Sequence, residues 1–227
     1  MCFSYARGTP HLCSRYMTLD RAIRAFYAGA ADEHHRYWSW EHCYGYFQRV
    51  RGAELIADRD HAALQLGFYL ASWGMYRGSS FLLQHAYTVH RPVVDILAKP
   101  RFAPFWNPDL GAHEADRRLV PLIGEVIAEV RSAYLPFTKE TASGGPTDTL
   151  VTKVILGTFG CLPACDRYFV QGFKSQGFPY SSLNERFIRR VLGFARENVV
   201  SLKRERVALH AARGVSYPIM KLVDMYF

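Results

Sequence analysis

The chain has 227 residues, of which 49% are hydrophobic, 21% charged and 15% aromatic, and its net charge is +8. A disordered chain would be less apolar and more charged, and a collagen- or linker-type chain would need far more than 17 Gly and 11 Pro. A chain of this length buries about 70% of its unfolded surface, so it folds without a metal or disulfide staple.

Residues 1–17 read as irregular. Thr18 caps a first helix running to Ala31, with Leu19, Ala22, Ile23 and Phe26 on one face. Ser39 caps a second over Trp40 to Val50, crowded with aromatics. Asp60 opens a third to Tyr76, apolar around most of its circumference, as expected of a central helix. Arg77-Gly78-Ser79-Ser80 breaks it and caps a helix from Phe81 to His90, and Pro92 suits the first turn of a short helix to Leu97. Pro100, Pro104 and Pro108 mark a loop that displays Phe102, Phe105 and Trp106, a candidate homo-oligomer contact. A long helix spans Glu114 to Tyr134, kinked or restarted at Pro121.

Thr138 to Thr147 is rich in Gly, Ser and Thr and reads as flexible. Helices then follow over Asp148 to Leu156, Pro163 to Phe173, Leu183 to Ala195, Asn198 to Ala212, and from Pro218 onward. Sustained period-two alternation is absent. The expected fold is all-α, a compact globule of about ten helices in one domain over 1–227, with lobes 1–137 and 148–227 as the alternative.

Charge is uneven. Between Ser182 and Arg213 eight basic residues oppose three acids, so this window holds +5 of the +8. Such a stripe attracts polyanions, or else solvates a helix face. The five cysteines are odd in number and scattered without a CxxC, which points to a reducing compartment. The longest uncharged run, His61 to Tyr76, is 16 residues and interrupted by polar groups, short of the ~20 a membrane span needs. A soluble, cytoplasmic protein without a membrane partner is expected.

Residues 150–174 read LVTKVILGTFGCLPACDRYFVQGFK, two apolar segments around a glycine turn. This is the pattern of a helix-hairpin-helix, whose turn amides and second helix N-terminus hold a phosphate. Over residues 150–193 it resembles the helix-hairpin-helix DNA glycosylases. Leu156, Gly160 and Ala164 fall in step, Phe159 takes the hydrophobic place, and Gly157 and Thr158 stand where that family has proline and its first glycine. The family's lyase lysine and catalytic aspartate fall on Leu162 and near Ser181, so the resemblance implies backbone binding of DNA or RNA without that chemistry. The binding residues it suggests are Gly157, Thr158 and Gly160 with Arg186, Arg189 and Arg190. The remaining chain, with FYLASWGMYRGSSFLLQ as its most distinctive stretch, resembles an uncharacterised bacterial family and implies no activity.

A second candidate is a site for a small phosphorylated ligand, in an all-α enzyme or sensor. Trp73 and Tyr76 could stack on a base, and Arg77, Ser79 and Ser80 could hold an anion beside a helix start. No cofactor motif is present and no catalytic group is identified. The spacings of His11, Cys13, His34, His35, His42 and Cys43, and of His85 and His90, match no metal hairpin, so no metal is expected. Cys161 and Cys165 read as small core residues, and Glu125 and Glu129 as a salt-bridged face.

Overall fold

A computed structural model describes residues 18–28, 32, 34–110, 118–138 and 145–227. Among the described residues there are eleven α-helices, short 3-10 turns and no strand. In order, the helices are α1 (Leu19–Ala28), α2 (Tyr37–Arg49), α3 (Gly52–Ala57), α4 (Arg59–Ser72), α5 (Arg91–Leu97), α6 (Leu119–Tyr134), α7 (Asp148–Gly157), α8 (Arg167–Ser175), α9 (Glu185–Glu197), α10 (Val199–Arg213) and α11 (Ile219–Tyr226). His11, Cys2, Cys13, Glu114 and residues 139–144 of the glycine-rich segment lie outside the described residues.

The innermost helix is α7, not α4. All eight residues Leu150 to Gly157 are buried, and α7 packs on α2, α4 and α6. By contrast, α4 leaves Leu64 and Phe68 at 51% and 58% exposure. Apolar residues all round a helix are necessary for a central position but do not choose between two such helices. One buried cluster extends from Ile23 to Met225.

Caps explain where several helices begin. Thr147 Oγ1 accepts from Leu150 N at 3.2 Å, Asp166 Oδ1 from Tyr168 N and Phe169 N at 3.0 and 3.2 Å, and Asn184 Oδ1 from Phe187 N at 3.0 Å. Asp148 ties three elements together. It accepts from Arg131 Nη2 at 2.6 Å, Tyr180 Oη at 3.0 Å and Leu183 N at 3.2 Å. Burial would raise its carboxyl, but these donors prevail and hold it below the usual value.

The segment expected as one helix over 81–90 is two 3-10 turns, Phe81–Gln84 and Tyr87–His90. His90, the last residue of the second turn, is buried. Its Nε2 pairs with Tyr76 Oη at 2.6 Å and its Nδ1 with Tyr134 Oη at 2.7 Å. Phe102, Phe105 and Trp106 are not displayed. The Pro100–Trp106 turn folds them into the core, where Phe105 and Trp106 meet Phe159 at 5.4 and 4.3 Å between centroids. They offer no surface to a second copy.

Candidate functional site

The glycine turn after α7 faces inward. Gly157, Thr158 and Gly160 are all buried. Gly160 N donates to Ile155 O at 2.9 Å, and Thr158 Oγ1 to Val154 O at 2.8 Å. The carbonyls of Leu156 and Thr158 accept from Trp40 Nε1 at 3.2 Å and Gln48 Nε2 at 3.3 Å. Glycine is needed here for close packing. A Cβ on Gly157 would lie 2.4 Å from Tyr69 Cε1, and one on Gly160 (φ +69°) 2.5 Å from Pro218 Cγ. The turn thus presents no amide to a surface phosphate, whereas Arg186 and Arg189 lie exposed on α9. These two halves of the expected phosphate surface do not meet.

What the turn does instead is deliver carboxylates to lysines. Beyond Gly160 the chain runs to Asp166, whose Oδ2 accepts from Lys153 Nζ at 3.2 Å. On the way Cys165 N donates to Thr152 Oγ1 at 2.8 Å and Ala164 N to Asp224 Oδ1 at 2.9 Å. The other oxygen of Asp224 accepts from Lys221 Nζ at 2.8 Å. Lys221 and Asp224 are three residues apart on one face of α11. Both lysines are buried, Lys153 at 4% and Lys221 at 3% exposure, which is rare for an ammonium group. Burial lowers the proton affinity of Lys153, and Asp166 and Asp224 oppose this.

Aromatic rings enclose these charges in two columns. In one, Phe26 stacks on Tyr37 (4.5 Å, 6°) and Tyr37 on Trp73 (5.5 Å, 13°). In the other, Tyr44 and Tyr217 each stack on Trp40, at 5.0 and 5.1 Å. Lys221 Nζ reaches both columns, lying 5.2 Å from the centroid of Phe26, 5.4 Å from Trp73 and 5.0 Å from Trp40. Lys153 Nζ and the exposed Arg36 guanidinium each lie 5.0 Å from the Trp73 ring.

A narrow cleft with about 10 Å³ of enclosed space lies among Phe26, Tyr27, Tyr37, Trp40, Trp73, Tyr217, Lys221 and Met225. Two of these residues carry buried donors, Trp73 Nε1 and Tyr27 Oη, that have no hydrogen-bond partner among the described residues. Glu41 braces the Tyr217 side. It accepts from Tyr217 Oη and from Arg213 Nη2 at 2.9 Å. Burial raises its carboxyl, offset by that hydroxyl and by the Lys221 charge.

Of the second expected site only Trp73 belongs to this cleft. It caps α4, where Gly74 (φ +74°) turns the chain and Met75 N closes onto Leu70 O at 2.8 Å. Tyr76 points to His90. Arg77 is exposed and lies over Gly74. Ser79 is exposed, and Ser80 caps only the four-residue 3-10 turn, so no helix N-terminus of useful length gathers them. Lys153, Lys221, Asp166, Asp224, Trp40 and Phe26 were not singled out by sequence reasoning.

Among the described residues no group of His, Cys, Asp and Glu is arranged to hold a metal. Cys43, Cys161 and Cys165 are buried thiols whose burial pushes their pKa upward. Glu129 pairs with Lys99 and Arg101. No helix among the described residues is long and apolar enough to cross a membrane. No protein-family model, curated protein or solved structure matches the chain.

Proposed function

We propose that the cleft binds a small planar heterocycle rich in hydrogen-bond acceptors, of nucleobase type, and that its cations favour an anionic substituent. The observation that carries this reading is the pair of buried, partnerless donors, Trp73 Nε1 and Tyr27 Oη, on two aromatic residues that line the cleft. A buried donor left unsatisfied costs about 1–3 kcal/mol, a cost that a bound acceptor removes. Stacking of a base on aromatic rings contributes about 1–3 kcal/mol more. The enclosed space is about 10 Å³, room for one water, so a ring enters only as the half-buried Phe26, Tyr37 and Trp73 move apart. Arg36 adds a third cation to the indole already shared by Lys153 and Lys221, whose partners are Asp166 and Asp224.

The test is thermal unfolding with purine and pyrimidine bases and their mononucleotides. A ligand at a hundredfold excess over its Kd stabilises by about 2.7 kcal/mol, which for a chain of this size raises Tm by about 5–10 °C. Trp73→Phe keeps the ring and removes the N–H. It should weaken binding about five- to tenfold, the equivalent of one hydrogen bond. No shift with any member of the panel overturns the reading.

A second reading, nucleic-acid binding through phosphates, is supported by α9. There Arg186, Arg189 and Arg190 border an open groove with Phe178 and Phe194. Glu185 and Glu197 line the same groove, so the field is less positive than the arginines alone suggest. Gly157, Thr158 and Gly160 take no part in this version. Replacing the three arginines by alanine should flatten the logarithmic salt dependence by about 2.7 if each holds one phosphate. Absence of binding to DNA or RNA at ~50 mM salt removes this reading.

A further inference from the structure

The groove along α9 has room that the cleft around Trp73 lacks. It offers about 610 Å³ of open space, a volume in the range of ligand-binding clefts. Its aromatic part is the end of a stack. Phe169 lies on Phe173 at 5.6 Å and 19°, and Phe173 on Phe178 at 4.9 Å and 24°. Phe169 and Phe173 are buried, whereas Phe178 is half-buried and lines the groove. The column therefore ends at the groove, and a further planar ring laid on Phe178 continues it. The backbone fixes that last ring. Gly177 (φ +83°) ends α8, and Gly177 N and Phe178 N close onto Lys174 O and Phe173 O at 3.0 and 3.1 Å. Arg190 Nη1 ties the same loop to α9 by donating to Pro179 O at 3.0 Å.

Cations stand beside the stack. Arg186 is exposed, and Arg189 meets the exposed Glu185 at 3.2 Å, a surface pair that a stronger anion displaces at little cost. Gly193 also lines the groove. It sits inside a helix, where glycine is unfavourable, and no atom lies within 4 Å of the place its Cβ would take. Packing does not demand a glycine there, and its missing side chain keeps the groove open. We propose that this groove takes a single strand of nucleic acid, one base stacked on Phe178 and neighbouring phosphates on Arg186 and Arg189, an inference that rests on the phosphate-binding reading of α9 and deepens it. A duplex offers phosphates but keeps its ring faces stacked inside, whereas a single strand offers both. Glu197 lines the groove seven residues beyond Arg190, about 10 Å along the helix axis, away from those phosphates. The +5 excess between Ser182 and Arg213 attracts the polyanion.

The test is fluorescence anisotropy at ~50 mM salt with the full chain and an end-labelled oligothymidylate of ~15 nucleotides. The probe is used as a single strand, paired to its complement, and as an abasic strand with the same phosphates. The single strand should bind at least about tenfold more tightly than the other two. Phe178→Leu keeps an apolar side chain and removes the ring. It should weaken the single strand by about five- to 150-fold, the worth of one base stack, and leave the salt dependence unchanged. Gly193→Leu favours the helix and fills the groove, so it should abolish binding with Tm unchanged or raised. Equal affinity for the duplex or the abasic strand, or unaltered binding by Phe178→Leu, overturns the stacked single strand and leaves the phosphate-binding reading standing. Unaltered binding by Gly193→Leu puts the strand outside the groove and overturns the proposal as well. No binding of any of the three probes overturns both. Binding of a peptide of alternating Asp and Phe, and of no nucleic acid, gives the groove to a protein partner and likewise overturns both. The abasic comparison uses the unaltered chain and decides the matter even if a variant fails to fold.

Discussion

Lys153→Met separates a lysine kept for stability from one kept for function. The substitution preserves length within a helix whose neighbouring residues are all buried and removes a cation that is 4% exposed. Replacing a buried ion pair by an apolar side chain is often neutral or stabilising by about 1–4 kcal/mol. The cation–π contact with Trp73 at 5.0 Å offsets up to about 2 kcal/mol of that. The expected change therefore lies between a loss of about 2 and a gain of about 4 kcal/mol. Asp166 is partly exposed and keeps its bonds to Tyr168 N and Phe169 N, so it is not stranded. Asp166→Ala is the opposite case. It leaves Lys153 buried without its nearest carboxylate, costing about 3–5 kcal/mol, and removes the α8 cap, costing about 1 kcal/mol more. Urea unfolding at constant slope measures both. The folded protein binds the Lys153 proton less tightly than the unfolded chain. The stability of the unaltered protein relative to Lys153→Met should therefore rise with pH on approach to 10.5. If Lys153→Met costs as much as Asp166→Ala, the lysine is a structural element and the functional assignment of the pair fails.

His90 gives a second pH dependence. Burial lowers its pKa from 6.5 to about 3, so the unfolded chain takes up a proton that the folded protein refuses, and stability falls as pH drops from 6.5 toward 3. Between pH 7 and pH 5 this amounts to about 2 kcal/mol. Denaturant titrations should show it in the unaltered chain and not in His90→Gln, whose stability is lower throughout because Tyr76 and Tyr134 lose their partner. Equal acid sensitivity in the two proteins would contradict the buried, neutral imidazole. Gly160→Ala must adopt φ +69° and push against Pro218 and Tyr44. Left-handed backbone costs about 1–2 kcal/mol and overpacking about 1–3, so a loss of about 2–5 kcal/mol is expected by urea unfolding. A change within about 0.5 kcal/mol, typical of exposed positions, would mean that the turn is at the surface after all.

Much of the helical architecture is written locally. Thr18, Pro92 and Pro218 stand where helices α1, α5 and α11 begin, and the helix after Asn198 ends within a residue of its expected limit. These signals depend on a residue and its next few neighbours. Exposure does not. Gly157 and Gly160 carry the same backbone freedom whether a phosphate or a tyrosine ring approaches, and only tertiary packing decides for Tyr69 and Pro218. Phe102, Phe105 and Trp106 sit among prolines, which mark a loop, yet their rings are buried because a 3-10 turn can still face a core. The candidate site was legible in one residue, Trp73. Its lysines left a fainter trace, a single cation inside the largely apolar stretches LVTKVILG and IMKLV. A helix with no polar face has nowhere to send such a charge except inward. That Asp166 and Asp224 meet these lysines depends on the chain folding back after Gly160, which no local spacing encodes.

The heterocycle-binding reading turns on one N–H. Trp40 Nε1 already donates to Leu156 O, whereas Trp73 Nε1 has no partner among the described residues. Nitrogen-15 labelling of the four tryptophans, with Trp73→Phe to assign its signal, follows each indole N–H during titration with a nucleobase or mononucleotide. The Trp73 resonance should move downfield and gain protection from solvent exchange as the ligand saturates, while that of Trp40 keeps its position. Saturable binding that leaves the Trp73 N–H unmoved would place the ligand elsewhere and contradict the cleft as the working site.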